Sequence, residues 1–126
     1  MEPFNKTDIH DLVNDNKDKY YVPAELFDGM QYKLVRLEVK WAYVACLNVM
    51  LKSPMFDNEN NAYIKDDSPM IVETLKKIAN KKVDKEKIVG YLNELEEAGL
   101  VERQGRNVYL KRIVDIFSSR VFMLFL

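Results

Sequence analysis

The chain has 126 residues, 48% of them apolar and 31% charged, with a formal net charge of −1 and a single cysteine, Cys46. That is enough chain for one domain with a real core; it excludes an internal disulfide, and the charge total alone does not announce a nucleic-acid binder. No apolar run is long enough to span a bilayer and no signal peptide precedes the chain, so a reducing cytoplasm is the expected home.

Residues 1–19, "MEPFNKTDIHDLVNDNKDK", are polar and acidic and read as a flexible arm with a short helical turn around Ile9–Val13. In "YYVPAELF" (20–27), Tyr20, Tyr21 and Val22 favour an extended segment and Pro23 breaks any helix running through it. Gly29 gives a turn. "LEVKWAYVACLNVMLKS" (37–53) is the first strong helix. Leu37, Trp41, Val44 and Leu51 define one apolar stripe; Val39, Tyr43, Cys46 and Met50 define a second; only Glu38, Lys40, Asn48 and Lys52 interrupt the surface. A helix apolar on nearly every side is buried on more than one of them. Two coverings are open: a second subunit meeting Val39, Trp41 and Tyr43, or the N-terminal arm folded over the second stripe.

"SPMFDNENN" (53–61) reads as a polar loop and "NAYIK" (61–65) as a short strand. "DDSP" (66–69) then starts a helix, with Ser68 able to cap and Pro69 suited to the first helical position. Ile71, Leu75 and Ile78 carry that helix to about Asn80. After a turn at 80–83, Asp84 caps a second helix whose buried stripe is Ile88, Leu92 and Leu95, and Gly99 ends it where left-handed geometry is needed. "LVERQGRNVYLKRI" (100–113) places β-favouring runs on both sides of a turn at Gln104–Asn107, a hairpin. The order helix, strand, helix, turn, helix, hairpin is that of a winged helix-turn-helix over 20–113, mainly α with a small hairpin and preceded by the arm. Beyond it, Ile116, Phe117, Val121, Phe122, Leu124 and Leu126 are apolar. "VFMLFL" is too short to span a membrane; it reads as a subunit contact, through Phe122 and Leu124, or as the start of a linker to a further domain.

Charge is unevenly placed. Residues 1–69 carry 8 Lys/Arg and 12 Asp/Glu, residues 70–126 carry 11 and 8, and Lys76, Lys77, Lys81, Lys82, Lys85 and Lys87 crowd one short stretch. Such asymmetry suggests a face turned to a polyanion, although any single lysine is as well explained by solvation. The helix in "KKVDKEKIVGYLNELEEAGL" (81–100) is charged against its own dipole: lysines at the positive start, Glu94, Glu96 and Glu97 at the negative end. Gly90 adds roughly 1 kcal/mol of helix cost against alanine. In a helix-turn-helix this second helix enters the major groove, N-terminal residues foremost, so the lysines stand where phosphates lie. The face opposite the buried stripe carries Lys85, Glu86, Val89, Gly90 and Asn93. Asn93 is suited to adenine, Val89 to a thymine methyl and Glu86 to a cytosine amino group, or Glu86 serves only the helix start. Lys81 and Lys82 precede them. On the hairpin, Arg103, Arg106 and Asn107 suit the adjacent backbone or minor groove.

Catalysis finds little support. His10, the only histidine, lies in the arm, far from Cys46, which reads as an inert core thiol. No Cys/His set has metal-ligand spacing, the glycines are too scattered for a phosphate loop, and no cofactor is expected. Asp66–Asp67 is accounted for by a helix start, and Tyr91 and Trp41 read as core or interface.

"YYVPAELF", "YKLVRLEVKWAYVACLNVM" and "KIVGYLNELEEAGLVERQ" together resemble the N-terminal domain of RepA-type replication initiators of theta-replicating plasmids from Gram-positive bacteria, notably staphylococcal multiresistance plasmids. The resemblance covers about residues 20–113. It implies a self-associating winged-helix domain that binds tandem repeats of a plasmid origin in double-stranded DNA. By position it carries the recognition-helix role to Lys85, Glu86, Val89 and Asn93 and the wing role to Arg103 and Arg106. It further implies a C-terminal domain that recruits host replication proteins, beyond the residues of this chain. Two rivals share the local features: a winged-helix transcription repressor, which adds an effector pocket, and a winged-helix protein-interaction module that never touches DNA.

Overall fold

The computed structural model describes residues 2–113. About half of them are helical, with a small antiparallel sheet of four strands in the order β1-β2-β4-β3. The helices are α1 (Lys6–Asp15), α2 (Ala24–Asp28), α3 (Leu37–Lys52), α4 (Pro69–Ala79) and α5 (Lys85–Glu97); the strands are β1 (Met55–Phe56), β2 (Ala62–Lys65), β3 (Val101–Gln104) and β4 (Asn107–Leu110).

Helix α3 is the post around which the rest assembles. Every residue from Val39 to Met50 except Trp41 is buried. Helices α4 and α5, strand β2 and helix α1 all pack against it. Two of its polar interruptions are buried with their needs met. Asn48 accepts from the backbone N–H of Tyr21 at 2.8 Å and donates to the carbonyls of Tyr21 at 2.9 Å and Val44 at 2.8 Å. Lys40 lays its stem against the helix and holds its ammonium 5.9 Å from the centre of the Phe27 ring. The extended residues 20–23 are therefore bound to the post, and Pro23 caps α2 rather than leaving 24–28 extended. Phe27 of that short helix meets Trp41, ring centres 5.1 Å apart.

Residues 2–19, read as a flexible arm, pack against the domain in this structure, with Phe4 and Ile9 in the core. Asn5 and Asp8 make a reciprocal capping box: the Asp8 N–H donates to Asn5 Oδ1 at 2.9 Å and the Asn5 N–H to Asp8 Oδ2 at 3.0 Å. This starts α1, a helix of ten residues in place of a single turn. Just before it, the backbone N–H of Phe4 donates to Leu110 O at 3.2 Å, and the N–H of Ala62 donates to Phe4 O at 2.8 Å. Strands β2 and β4 pair directly only at Ile64–Val108 and Lys65–Asn107; where they part, Phe4 fills the gap. Its ring is buried with Ile9 in the core.

This settles which covering the second stripe of α3 receives. Val39 and Tyr43, read as a subunit contact, are 1% and 0% exposed within this one chain. The Tyr43 hydroxyl donates to the backbone carbonyl of Lys111. They are core residues because the sheet, the N-terminal segment and the other helices leave no face of α3 bare there. Trp41 stays part-exposed, and Phe122 and Leu124 lie outside the described residues. Leu37, read as part of the first stripe, is exposed.

The remaining elements follow local chemistry. Pro69 opens α4, with Ser68 at the N-cap position. Asn80 closes it in the left-handed region at φ 51°. Asp84 accepts from the Lys87 N–H at 2.9 Å to start α5. Gly99 at φ 78° turns the chain into β3, and Gly105 at φ 61° turns β3 into β4. The loop 53–61 is less irregular than its composition suggests, since Met55–Phe56 pairs with β2.

If the N-terminal segment is structural, Phe4→Ala removes a buried ring from a sheet junction and lowers the unfolding free energy by about 3–5 kcal/mol. Denaturant unfolding of the full chain measures this; a loose arm predicts no change.

Candidate nucleic-acid interface

Helix α5 buries Ile88, Tyr91, Leu92 and Leu95 and turns Lys85, Glu86, Val89, Gly90 and Asn93 outward. Val89 is 41% exposed, a large apolar side chain that the described residues leave part-open to solvent. A Cβ built on Gly90 meets nothing within 4 Å, so no neighbour inside the described protein requires a glycine there. The candidate base-reading residues thus share one exposed strip, and its centre is low.

The lysine cluster divides into working and exposed members. Lys81 donates to Glu38 Oε2 at 2.8 Å, and the Tyr91 hydroxyl donates to the same oxygen at 2.8 Å. Lys81, read as a phosphate contact, thus also links the α4–α5 turn to the start of α3. Lys87 lies 5.8 Å from the Tyr91 ring centre. Lys82 and Lys85 are exposed and enter no ion pair among the described residues. The exposed Lys76 and Lys77 extend the same basic region along α4.

Two of the three glutamates that oppose the helix dipole, Glu94 and Glu96, also have partners. Glu94 receives a two-pronged bond from Arg36, Nε to Oε1 at 2.9 Å and Nη2 to Oε2 at 2.7 Å. Arg36 donates its Nη1 to Glu38 Oε1 at 2.7 Å. Glu96 accepts from the backbone N–H of Arg103 at 3.0 Å and so ties the end of α5 to β3. Arg36 and Glu38 are the residues that sequence reasoning missed. Their partners are distant in the chain, and no local spacing marks them. Hydrogen bonds from Lys81 and then from Tyr91 hold the Glu38 carboxyl down to about 2. The Arg36 bond lowers the Glu94 carboxyl, and Glu38 raises the Lys81 ammonium. These groups stay charged together across neutral pH and fix α5 to α3.

On the hairpin, Arg103 is engaged: it donates Nη1 to Asn93 Oδ1 at 2.9 Å and Nη2 to Asp66 Oδ2 at 2.8 Å. Asp66, read as part of a helix start, serves the hairpin instead. Arg106 sits at the turn, its side chain 74% exposed and 3.5 Å from Asp67. Asn107 accepts from Lys65. The structure therefore brings Lys82, Lys85, Glu86, Val89, Asn93, Arg106 and Asn107 to the surface of α5 and its hairpin, and withdraws Lys81 and most of Arg103 into bracing.

Cys46 is fully buried, and burial pushes its thiol up to about 12. Among the described residues no helix is long and apolar enough to cross a membrane.

No family model and no curated protein matches the chain. Solved structures do. One, described as the structure of an MDR initiator, is 24% identical with a TM-score of 0.57 over 87% of this chain and 93% of that one. A second, the N-terminal domain of a DNA binding protein, is 24% identical with a TM-score of 0.52 and covers 100% and 98%. A third, a Rep–DNA complex, is 26% identical with a TM-score of 0.51 and covers 91% and 94%. The first two are likenesses of fold. All three are consistent with the N-terminal domain of a Rep-type replication initiator, the resemblance carried by the sequence.

The brace at Glu38 has a pH signature. A carboxyl lowered from 4.5 to about 2 on folding contributes stability that is complete above pH 4.5 and is lost as pH falls towards 2. Glu38→Gln is expected to melt below the wild type at pH 7, with the gap closing through that window. A gap independent of pH there would show that the carboxylate charge is not what binds α5 to α3.

Proposed function

We propose that this chain is the DNA-binding domain of a plasmid replication initiator: a winged helix that recognises tandem repeats of its origin in double-stranded DNA. The observation that carries the reading is the outward strip of α5, with Lys82 and Lys85 exposed at its start and Gly90 and Asn93 along it, beside a hairpin tipped by Arg106. The likeness to an initiator and to a Rep–DNA complex supports it. Lys82, Lys85 and Arg106 position the protein on phosphates; Glu86, Val89 and Asn93 read bases. The chain acts by binding, not as an enzyme, and in the cytoplasm. It works as a homodimer, for which Trp41 and residues beyond 113 are the available contacts, and a further C-terminal domain engages host replication proteins.

Equilibrium binding to origin repeats and to a scrambled duplex, over a range of salt, tests this. Affinity for the repeats should fall steeply with salt, and Lys85→Ala should reduce the slope of log affinity against log salt by about 1. Lys81→Ala should lower the melting temperature and leave that slope nearly unchanged. Weak, equal binding to both duplexes, indifferent to Lys85→Ala, would assign the strip to a protein partner.

A further inference from the structure

Arg103 decides which end of Asn93 faces outward. Its guanidinium joins Asp66 of the β2–α4 turn to Asn93 of α5, at 2.8 and 2.9 Å. The Arg103 and Asp66 side chains are only 20% and 16% exposed, so solvent competes poorly for this pair. An asparagine amide has an acceptor end and a donor end, and a guanidinium can rest only against the acceptor. The Asn93 oxygen is therefore held towards the hairpin by a charge-assisted bond, and its NH2 group is the end left unengaged among the described residues. The hairpin holds a similar bond: Lys65 donates to Oδ1 of Asn107.

Bidentate reading of adenine by asparagine uses both ends of the amide, accepting from N6 and donating to N7. Guanine instead presents two acceptors, N7 and O6. We propose that Arg103, anchored by Asp66, turns the Asn93 oxygen towards the hairpin and presents its NH2 outward, so that the base it faces is selected for an acceptor edge, guanine before adenine. The proposal rests on the DNA-binding reading above and revises the adenine contact expected from the sequence. Arg103 is a positioning residue; Asn93 touches the base.

Selection of the full chain on a randomised duplex pool tests this, alongside Asn93→Asp, Arg103→Ala and Asp66→Asn, with a thermal melt of each variant. The wild type should select guanine at the position that Asn93 governs. Asn93→Asp, at an exposed site, replaces the donor by acceptors and should cut the guanine preference there about tenfold while leaving other positions alone. Arg103→Ala lets the amide rotate, and adenine should rise to near parity with guanine at that one position. If Arg103→Ala does not fold, Asp66→Asn removes the anchoring charge with little change of shape and should shift the same position in the same direction. Wild-type selection of adenine there, or an unchanged profile in folded Arg103→Ala or Asp66→Asn and in Asn93→Asp, overturns the proposal and leaves DNA binding standing. A wild type that selects no sequence overturns both.

Discussion

A helix with no polar side has to be covered all round, and the covering of α3 dictates the rest of this structure. Its sequence has the apolar content of a subunit interface, yet a single chain supplies the cover. One flank takes α4 and α5, another takes the sheet, and the N-terminal segment with residues 20–28 closes the remainder. Asn48, the buried amide on this helix, has both ends of its side chain bonded in place. A rigid central helix matters for recognition because α5 is fixed to it twice, by apolar burial on one face and by the Arg36–Glu94 and Lys81–Glu38–Tyr91 bonds at its ends.

The reversed charge of α5 thereby resolves into two separate causes. The glutamates near its end are anchors, Glu94 to Arg36 and Glu96 to the β3 backbone, and their unfavourable place in the helix dipole is offset by those bonds. At its start, Lys81 is a strut, while Lys82 and Lys85 are exposed and enter no ion pair among the described residues. A surface of this kind separates holding from touching: the residues that orient the helix are not those that it displays. The hairpin follows the same division, with Arg103 bracing and Arg106 displayed.

Much of this was legible in the chain itself. The periods of α3, α4 and α5, the Asp84 cap, the Gly99 exit and the hairpin turn are local chemistry, and local chemistry can be read residue by residue. Of helix α1 only a short turn around Ile9–Val13 was legible, because the helix is polar and buries little besides Ile9. Its order comes from the Asn5–Asp8 box and from Phe4 docking against strands far along the chain, and neither leaves a periodic trace. The outward face of α5 was also readable from spacing, but the roles of Lys81 and Arg103 were not. Exposure follows from helical period; whether a charge is already spoken for depends on Glu38 and Asp66, which only the tertiary fold brings near.

The seam at Phe4 ties the beginning of the described chain to its end. Phe4 bonds simultaneously to Ala62 and to Leu110, so the sheet closes only when the last strand has arrived. During synthesis the Phe4 N–H cannot meet the Leu110 carbonyl until β4 has left the ribosome. Contacts of such separation close slowly. The helices can gather around α3 earlier, so that α5 is held before the sheet is sealed. A nascent chain stalled before residue 110 therefore lacks the Phe4–Leu110 pairing that closes the seam.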